Sequence, residues 1–394
     1  MLLTTELSGP RPGLDGLDEV AALADEAVAS GDTGPFYQAL RASELPYLLK
    51  HYRDDPHGLL LATVTALHTI GARSPGLALG VSQHLSSMLA FGIGRSVLSG
   101  DDAAGKVVRG LLDETFDRRL LIANTTSQGG GSTIGASGSR IVDAGGAFRV
   151  DGHSTYMSLA TEADKVVFLT YDAGRNPVGV VTDLRGNPAL QVAGDLLFGD
   201  HLVLADTRRL TFAGLEVPPE SVFGPDPTLN AFYSLQLMCH NLCVAALYLG
   251  GGHRILEETA QHGRSTTLPS GEPLSRSDSF AANVGRVAIS YTNSLDLILA
   301  QAPTFRDLAT ADVLDAGGVA RGLLRVSTAK YTVAKNVETI AAEGRKLIGA
   351  RTFMQDHPVA RIGAEVVFAA LGPATEKLIE RNFGTRYLEA EGGK

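Results

Sequence analysis

The sequence predicts an α+β fold with an N-terminal helical domain, a central β-barrel or β-sandwich domain and a C-terminal four-helix bundle. Two changes of hydrophobic period support this prediction: from three-to-four residues to two near Leu120, and back to the helical period after Pro227. Four long helical runs then follow in succession. The corresponding domain boundaries are residues 1–119, 120–226 and 227–394, and the chain is long enough for three packed units.

Each predicted domain has its own repeating pattern. Apolar residues at helical spacing, separated by short glycine or proline breaks, mark the first domain in LDEVAALADEAVAS, GLLLATVTALHTIGA and AAGKVVRGLLDETF. Apolar and polar residues alternate in the second domain, in RIVDAGGAFRVDG, KVVFLTYD, PVGVVTDL and RRLTFAGLEVP, as in half-buried strands. The third domain opens with the long helical run LNAFYSLQLMCHNLCVAALYLGGGHRILEETAQ. Its triple glycine at Gly250 lacks the lysine and strand of a phosphate loop and indicates close helix packing.

Composition argues against several partners and compartments. The net charge of −9 and the lack of a basic run disfavour nucleic acid and anionic membranes. Cys239 and Cys243, the two cysteines, lie four residues apart on an apolar helical run, which indicates buried thiols in a reducing cytoplasm. The N-terminus has no signal-peptide pattern, and no stretch reaches ~18 uninterrupted apolar residues, so neither secretion nor membrane spanning is predicted. No Cys/His cluster indicates a metal site.

Three passages mark the junctions between the predicted domains. They are LLIANTTSQGGGSTIGASGSRIVDAGGAFRVDGHSTYMSLATEADKVVF, then DTRRLTFAGLEVPPESVFG, then RKLIGARTFMQDHPVARIGAEVVFAA. In this order and spacing they resemble the acyl-CoA dehydrogenase superfamily of flavoproteins, and the likeness covers nearly the whole chain. The resemblance implies an FAD cleft between the β-domain and the bundle, in a homotetramer or homodimer.

The resemblance also implies a set of flavin-binding residues. Thr125 matches the family's flavin-contacting threonine, Tyr156 matches the aromatic residue that covers the ring, and Ser158 matches the hydroxyl residue near the reactive nitrogen. The full set of implied cofactor-binding residues is Thr125, Thr126, Ser127, Gly131, Ser132, Tyr156, Ser158, Arg264 and Gly349. Glycines and hydroxyls in NTTSQGGGS suit an anion or a ring edge. Without the resemblance, the same residues would indicate a glycine-rich turn and a buried aromatic side chain.

The chain departs from the family at its catalytic residue. In acyl-CoA dehydrogenases, a glutamate in the break between the last two helices removes the α-proton of an acyl thioester while the flavin takes a hydride. The sequence here is LGPATEK, so Gly372 and Pro373 occupy the candidate positions and neither can accept a proton. Glu376 fits a later, structural glutamate of the pattern. Family members that place the base on the first bundle helix direct attention to His240 in LQLMCHNL, although a lone histidine there is also typical of a helix core.

A second departure concerns the cofactor pyrophosphate. Arg264 in QHGRSTTLPSGEPL is retained, but the family's following Phe-Gly pair is absent, which weakens FAD relative to FMN or reduced flavin from a partner reductase. Both departures resemble the monooxygenase branch of the superfamily. His84 in GVSQHLSSMLAFG lies where that branch carries a histidine facing the flavin, with Ser86 or Ser87 beside it. The alternative is a helix turn with capping serines.

Three functional hypotheses follow from the sequence. The first is a flavin-dependent oxidation of an acyl thioester, on CoA or a carrier protein, with His240 or a shifted glutamate as base. The second is a flavin-dependent hydroxylase or N-oxygenase acting on a small molecule, with His84 as the residue that faces the flavin. The third is a non-catalytic relative that uses its bundle for association.

Overall fold

The computed structural model describes residues 7, 11–95, 103–125, 138–224, 227–312, 314–354 and 357–392. Helices form the N-terminal part of these residues, with a 3-10 helix at Leu45–Lys50. The α-helices described there are α1 (Leu17–Ser30), α2 (Gly34–Ala42), α3 (Pro56–Arg73), α4 (Pro75–Ile93) and α5 (Ala103–Arg118).

The central part is one eight-stranded sheet. Its strands are β1 (Ile122–Thr125), β2 (Ser139–Asp143), β3 (Phe148–Met157), β4 (Lys165–Tyr171), β5 (Pro177–Asp183), β6 (Leu190–Val192), β7 (Arg208–Val217) and β8 (Val222–Phe223). The spatial order is β6-β7-β3-β2-β4-β5-β8, with β1 parallel to β4. Every residue of β4 is buried, as expected for a strand covered on both faces.

The C-terminal part returns to helix. It contains α6 (Pro227–Ser265), α7 (Asp278–Leu299), α8 (Ala302–Ala309), α9 (Ala316–Ile348), α10 (Pro358–Glu365), a 3-10 helix at Val366–Ala370 and α11 (Glu376–Gly392). This order of helices, sheet and helices confirms the predicted α+β architecture. The division into residues 1–119, 120–226 and 227–394 stays a prediction.

Local sequence determines where the principal helices begin. The Ser74 hydroxyl accepts a hydrogen bond from the Leu77 amide, and Pro75 occupies the first turn of α4. Asp315 caps α9 in the same way, accepting from the amide of Gly318 at 2.6 Å. These caps satisfy amides that the first turn of a helix leaves without partners.

Glycines let α3 and α6 cross at backbone contact. A Cβ atom on Gly71 would lie 2.1 Å from the Leu247 carbonyl oxygen, and one on Gly250 would lie 2.1 Å from the His68 carbonyl oxygen. Neither position can hold a side chain unless one of the two helices moves. Gly250 lies inside α6, in agreement with the prediction that it serves helix packing.

A buried carboxylate ties α10 to the start of α4. Glu365 accepts a hydrogen bond from the Gly76 amide at 2.9 Å and another from Arg361 at 2.9 Å. Arg361 also donates to the carbonyl oxygen of Arg73, the last residue of α3. Burial raises the pKa of Glu365, while these donors oppose that rise.

Two helices of the described part are long and apolar enough to cross a membrane by length and composition. They are Pro75–Ile93 and Leu229–Ser265, and 89% and 83% of their most apolar windows are buried inside the protein. Burial of this extent is typical of core helices.

The tight α3–α6 crossing predicts that alanine in place of glycine destabilises the protein at the crossing and not elsewhere. We expect Gly250→Ala to lower the free energy of unfolding by about 1–3 kcal/mol, because the new methyl group overlaps the His68 carbonyl. Gly285→Ala, inside α7 with open space around it, should instead raise stability by ~0.5–1 kcal/mol. Urea unfolding of both variants measures this. Equal effects would show that the crossing is not tight.

Candidate functional site

The break between the last two helical segments is held by side chains from α6 and α9. Lys330 Nζ donates to the carbonyl oxygens of Gly372, at 3.1 Å, and Ala374, at 2.8 Å. Asn241 Oδ1 accepts from the Ala374 amide at 3.1 Å, and its Nδ2 donates to Ser327 at 3.0 Å. The break that carries a glutamate in acyl-CoA dehydrogenases is therefore fixed here by an ammonium and an amide.

Glu376, the nearest acidic residue after the break, is ion-paired. Its Oε2 accepts a hydrogen bond from Lys335 Nζ at 2.7 Å at the start of α11. The other carboxylate oxygen, Oε1, is buried without a partner, and the structural role of Glu376 stays a prediction.

His240 lies on α6 beside Lys330, with a free ring nitrogen. The residue is 8% exposed, and its Nδ1 atom is buried without a hydrogen-bond partner. Burial, together with the Lys330 charge, lowers the pKa of His240 to about 4. The ring is therefore neutral at pH 7. Burial also lowers the pKa of Lys330 to about 8.

His84 has a structural environment. One ring nitrogen, Nε2, lies 2.7 Å from the Pro46 carbonyl oxygen, and the other, Nδ1, accepts from the Ile122 amide at 3.0 Å. These partners fix the tautomer and leave no N–H to face a flavin. Burial lowers the pKa of His84 to about 4, which keeps the ring neutral. The geometry corrects the expectation of a catalytic histidine here, since His84 joins the N-terminal helices to β1.

The serines next to His84 are also bonded internally. Ser86 and Ser87 donate to the carbonyl oxygen of Gln83, one turn back. Ser87 accepts in addition from the Asn124 amide group at 3.0 Å.

On the β-domain side, two of the predicted hydroxyls have protein partners. Thr125 Oγ1 lies 2.6 Å from Ser154 Oγ, and Ser158 Oγ lies 2.8 Å from Thr207 Oγ1. The neighbouring Thr155 hydroxyl is buried and has no partner. Thr126, Ser127, Gly131 and Ser132 lie outside the described residues.

Tyr156 is exposed, whereas the residues on either side of it are buried. Its backbone is left-handed, with φ of 61°, and the residue is 53% exposed at the end of β3. The ring stacks on Phe198, with centroids 5.8 Å apart, and Phe198 meets Phe368 edge-on at 5.1 Å. Phe368 belongs to the 3-10 helix just before the break, so aromatic contacts join the β-domain to the catalytic region predicted from sequence.

Two adjacent β-domain residues carry groups of the kind that flavin sites use. The exposed Tyr156 ring offers a stacking surface, and the unpartnered Thr155 hydroxyl offers a hydrogen bond to a ring heteroatom. Thr155 was not among the residues that the sequence singled out.

Arg264 is not brought to this place within one chain. Arg264 is exposed at the end of α6, 24 residues after His240, or about 36 Å along the helix. Gly349 ends α9 with φ of 81°. Their roles in cofactor binding stay predictions, and a role for Arg264 at this site would require a second copy of the chain.

Other functional candidates emerge only from the structure. They are Lys330, Phe198, Phe368, and two residues of α6, Tyr233 and Gln236, whose Tyr OH and Gln Oε1 are buried without partners. One sequence signal was available: Tyr233, Gln236 and His240 are spaced as i, i+3 and i+7, which places them on one helix face.

A groove lies elsewhere, between the N-terminal helices and the second half of α6. It has a volume of about 790 Å³ and includes His68, His253 and Glu257 in its lining. His68 is bonded to the Tyr291 hydroxyl at 2.9 Å, and His253 faces Glu257 at 3.8 Å. Since these polar groups already have partners, they give no independent indication of a ligand. The described residues contain no cluster suited to a metal ion.

Solved structures of known proteins share this architecture over their full length. KijD3 in complex with dTDP superposes with a TM-score of 0.82 at 17% identity, over 98% of this chain and 100% of that chain. TdsC from Paenibacillus sp. A11-2, with FMN and indole, gives 0.80 at 18% identity over 96% and 97%. Butyryl-CoA dehydrogenase from Megasphaera elsdenii gives 0.78 at 14% identity over 96% and 99%.

The chain has the acyl-CoA dehydrogenase fold. This confirms the fold expected from the three junction passages. Identities of 14–18% establish the fold alone. No protein-family model and no curated protein sequence matches the chain.

Because His84 is buried, we expect the folded protein to lose stability in acid. The pKa of His84 is about 4 in the folded protein and 6.5 when exposed, so below pH 6.5 the unfolded chain binds the proton first. The contribution of neutral His84 to the free energy of unfolding is fully present above pH 6.5. It falls by about 1.4 kcal/mol per pH unit as the pH drops to about 4.

Urea unfolding between pH 7.5 and 4.5 tests the contribution of His84. We expect the free energy of unfolding of His84→Gln to depend less steeply on pH, because nearly one proton fewer is taken up on unfolding. His57→Gln, at an exposed position of α3, is the control for removing a histidine. Identical slopes for the parent and His84→Gln would contradict the assignment.

Proposed function

We propose that this protein is a flavin-dependent monooxygenase that acts on a small molecule in the cleft between the β-domain and the bundle. The observation that carries the proposal is the break at Gly372–Ala374. Lys330 and Asn241 hydrogen-bond to its backbone, and it contains no carboxylate. Oxygenation does not require the α-proton of a thioester to be removed. A bound reduced flavin would supply the activation of dioxygen, with one oxygen atom transferred to substrate and the other released as water.

The residues of the chain have separate roles in this proposal. Tyr156 stacks on the cofactor, and Thr155 donates or accepts a hydrogen bond at the ring edge. Lys330 holds the break in place, so that Phe368 closes one side of the cleft against water. His240, neutral at pH 7, takes or gives a hydrogen bond at Nδ1.

The fold comparisons are consistent with this proposal. TdsC is described as a dibenzothiophene monooxygenase and has been seen with FMN, and KijD3 has been seen with FMN and a dTDP-linked amino sugar. The sequence resemblance favours FAD, whereas the distance of Arg264 from the cleft favours FMN for a single chain. Titration with each flavin separately decides between them.

Thioester oxidation is the second candidate, because His240 has an unpartnered nitrogen that can accept a proton. Its low pKa makes it a weak base, since general bases work best with a pKa near the working pH. This is why we place oxygenation first.

Assembly and location are further parts of the proposal. Phe353, Met354 and Leu388 are 81%, 65% and 72% exposed, which suits burial between copies in a dimer or tetramer. We retain the cytoplasm as the proposed compartment.

One experiment separates the two reactions. The flavin-loaded protein is titrated anaerobically with acyl-CoA and acyl-carrier thioesters, and separately reduced by NADH and a reductase before oxygen is admitted. We expect no thioester to bleach the flavin, and we expect an indole or thiophene probe to gain one oxygen atom by mass spectrometry. Bleaching that His240→Ala slows by ~10²–10⁴ would establish thioester oxidation instead. Failure to bind either flavin would remove both candidates.

Tyr156 provides a separate test of the cofactor site. We expect Tyr156→Ala to raise the flavin Kd by about 3–10-fold, because stacking of one aromatic ring contributes ~0.5–1.5 kcal/mol. Tyr156→Phe keeps the ring and should bind as the parent does. Fluorescence quenching of FMN and FAD measures the affinities. If Tyr156→Ala binds flavin unchanged, the ring does not cover the cofactor.

A further inference from the structure

One face of α6 carries three polar atoms that the protein leaves without partners. They are Tyr233 OH, Gln236 Oε1 and His240 Nδ1, all buried. Their spacing of three and four residues aligns them along about 10 Å of the helix. Buried polar atoms in native proteins are nearly always hydrogen-bonded, and an unbonded one destabilises the fold.

Two other buried polar residues of the same helix have hydrogen-bond partners. Asn241, adjacent to His240 but pointing to α9, is bonded at both ends of its amide, to Ser327 and to the Ala374 amide. Thr259, fully buried, donates to the Ile255 carbonyl oxygen at 2.7 Å. The unpartnered atoms are therefore confined to one face instead of being spread along α6.

This face is partly accessible to solvent. Tyr233, Ser234 and Leu237 are partly accessible to solvent, although the polar tip of Tyr233 is buried. Leu237 lies between Tyr233 and His240 on the same side of the helix. The end of the face near His240 adjoins the break, where Val244 and Lys330 lie about 4 Å from the Cβ position of Gly372.

We propose that the Tyr233–Gln236–His240 face binds the substrate by hydrogen bonds, and that the substrate is a polar compound with O–H or N–H donors. This inference rests on the proposed function and names its substrate class. Gln236 Oε1 only accepts, so the substrate must donate to it, whereas the Tyr233 hydroxyl can do either. An alkyl chain placed here would leave all three atoms without partners.

The face is uncharged at its Tyr233 end and lies near a cation at its His240 end. Burial raises the pKa of Tyr233, which keeps its hydroxyl protonated, and the neighbouring Tyr171 acts in the same direction. At the other end of the face, burial and the nearby Lys330 charge lower the pKa of His240. Sites built to hydrogen-bond a substrate reject isosteres that lack the polar group, because the site's own atoms are then left unpaired.

The first test measures stability without any ligand. We expect Tyr233→Phe to raise the melting temperature, by roughly 1–3 °C, because it removes an unbonded buried polar atom while keeping the ring. Thr259→Val is the matched control on the same helix and should lower it, since its hydroxyl is bonded. A lower melting temperature for Tyr233→Phe would overturn the inference, because its hydroxyl would then serve the fold through structural water.

The second test measures binding to the flavin-loaded protein with matched probes. The pairs are 5-hydroxyindole with 5-methylindole, and 3-aminophenol with 3-methylphenol. Binding of each probe is monitored by flavin absorbance or by saturation-transfer NMR. We expect the more polar member of each pair to bind at least about tenfold more tightly, and the Tyr233→Phe/Gln236→Met variant to lose that preference.

The two proposals fail in different ways. Equal binding of both members of each pair, by protein that still binds and reoxidises flavin, overturns the polar-substrate inference alone. A preference that persists unchanged in the double variant also overturns it. A protein that binds no flavin overturns the proposed function before any probe is added.

Discussion

The backbone contact between α3 and α6 is the constraint on which the rest of the structure depends. At Gly71 and Gly250 the two helices approach so closely that neither position can hold a side chain. This contact places α6 deep in the protein, where α4, α9 and the C-terminal segment can pack around it. The orientation of α6 in turn directs Asn241 towards α9 and the C-terminal break, and it places the buried His240 ring near Lys330.

The chemistry of the cleft follows from how the C-terminal break is held. An ammonium and an amide bind its backbone carbonyls and amide, so the place of a carboxylate base is taken by groups that stabilise structure. The pKa of His240, a candidate base, is lowered chiefly by burial and further by the same Lys330 that holds the break. Lys330 therefore both fixes the loop and adds to the weakening of this base.

The sequence predicted most of the fold and part of the site. Changes of period gave the order of helices and sheet, because buried faces impose that period along a continuous segment. Lys330 could not be predicted as a partner of residues 42 and 44 positions away, since no local pattern encodes that contact. His84 misled for the same reason. Its ring nitrogens are bonded to backbone atoms 38 residues away on either side, whereas the sequence shows only a histidine among serines.

The buried Glu365 gives the segment that follows it a mechanical property. Glu365 is fixed to the first turn of α4, and Ala374 is fixed by Lys330 and Asn241, so the residues between them are tethered at both ends. Phe368 lies within this tethered span and contacts Phe198, whose ring stacks on Tyr156. Moving Phe368 well away from Phe198 would therefore require at least one tether to break, whereas the last helix begins after Ala374 and lies outside the tethered span.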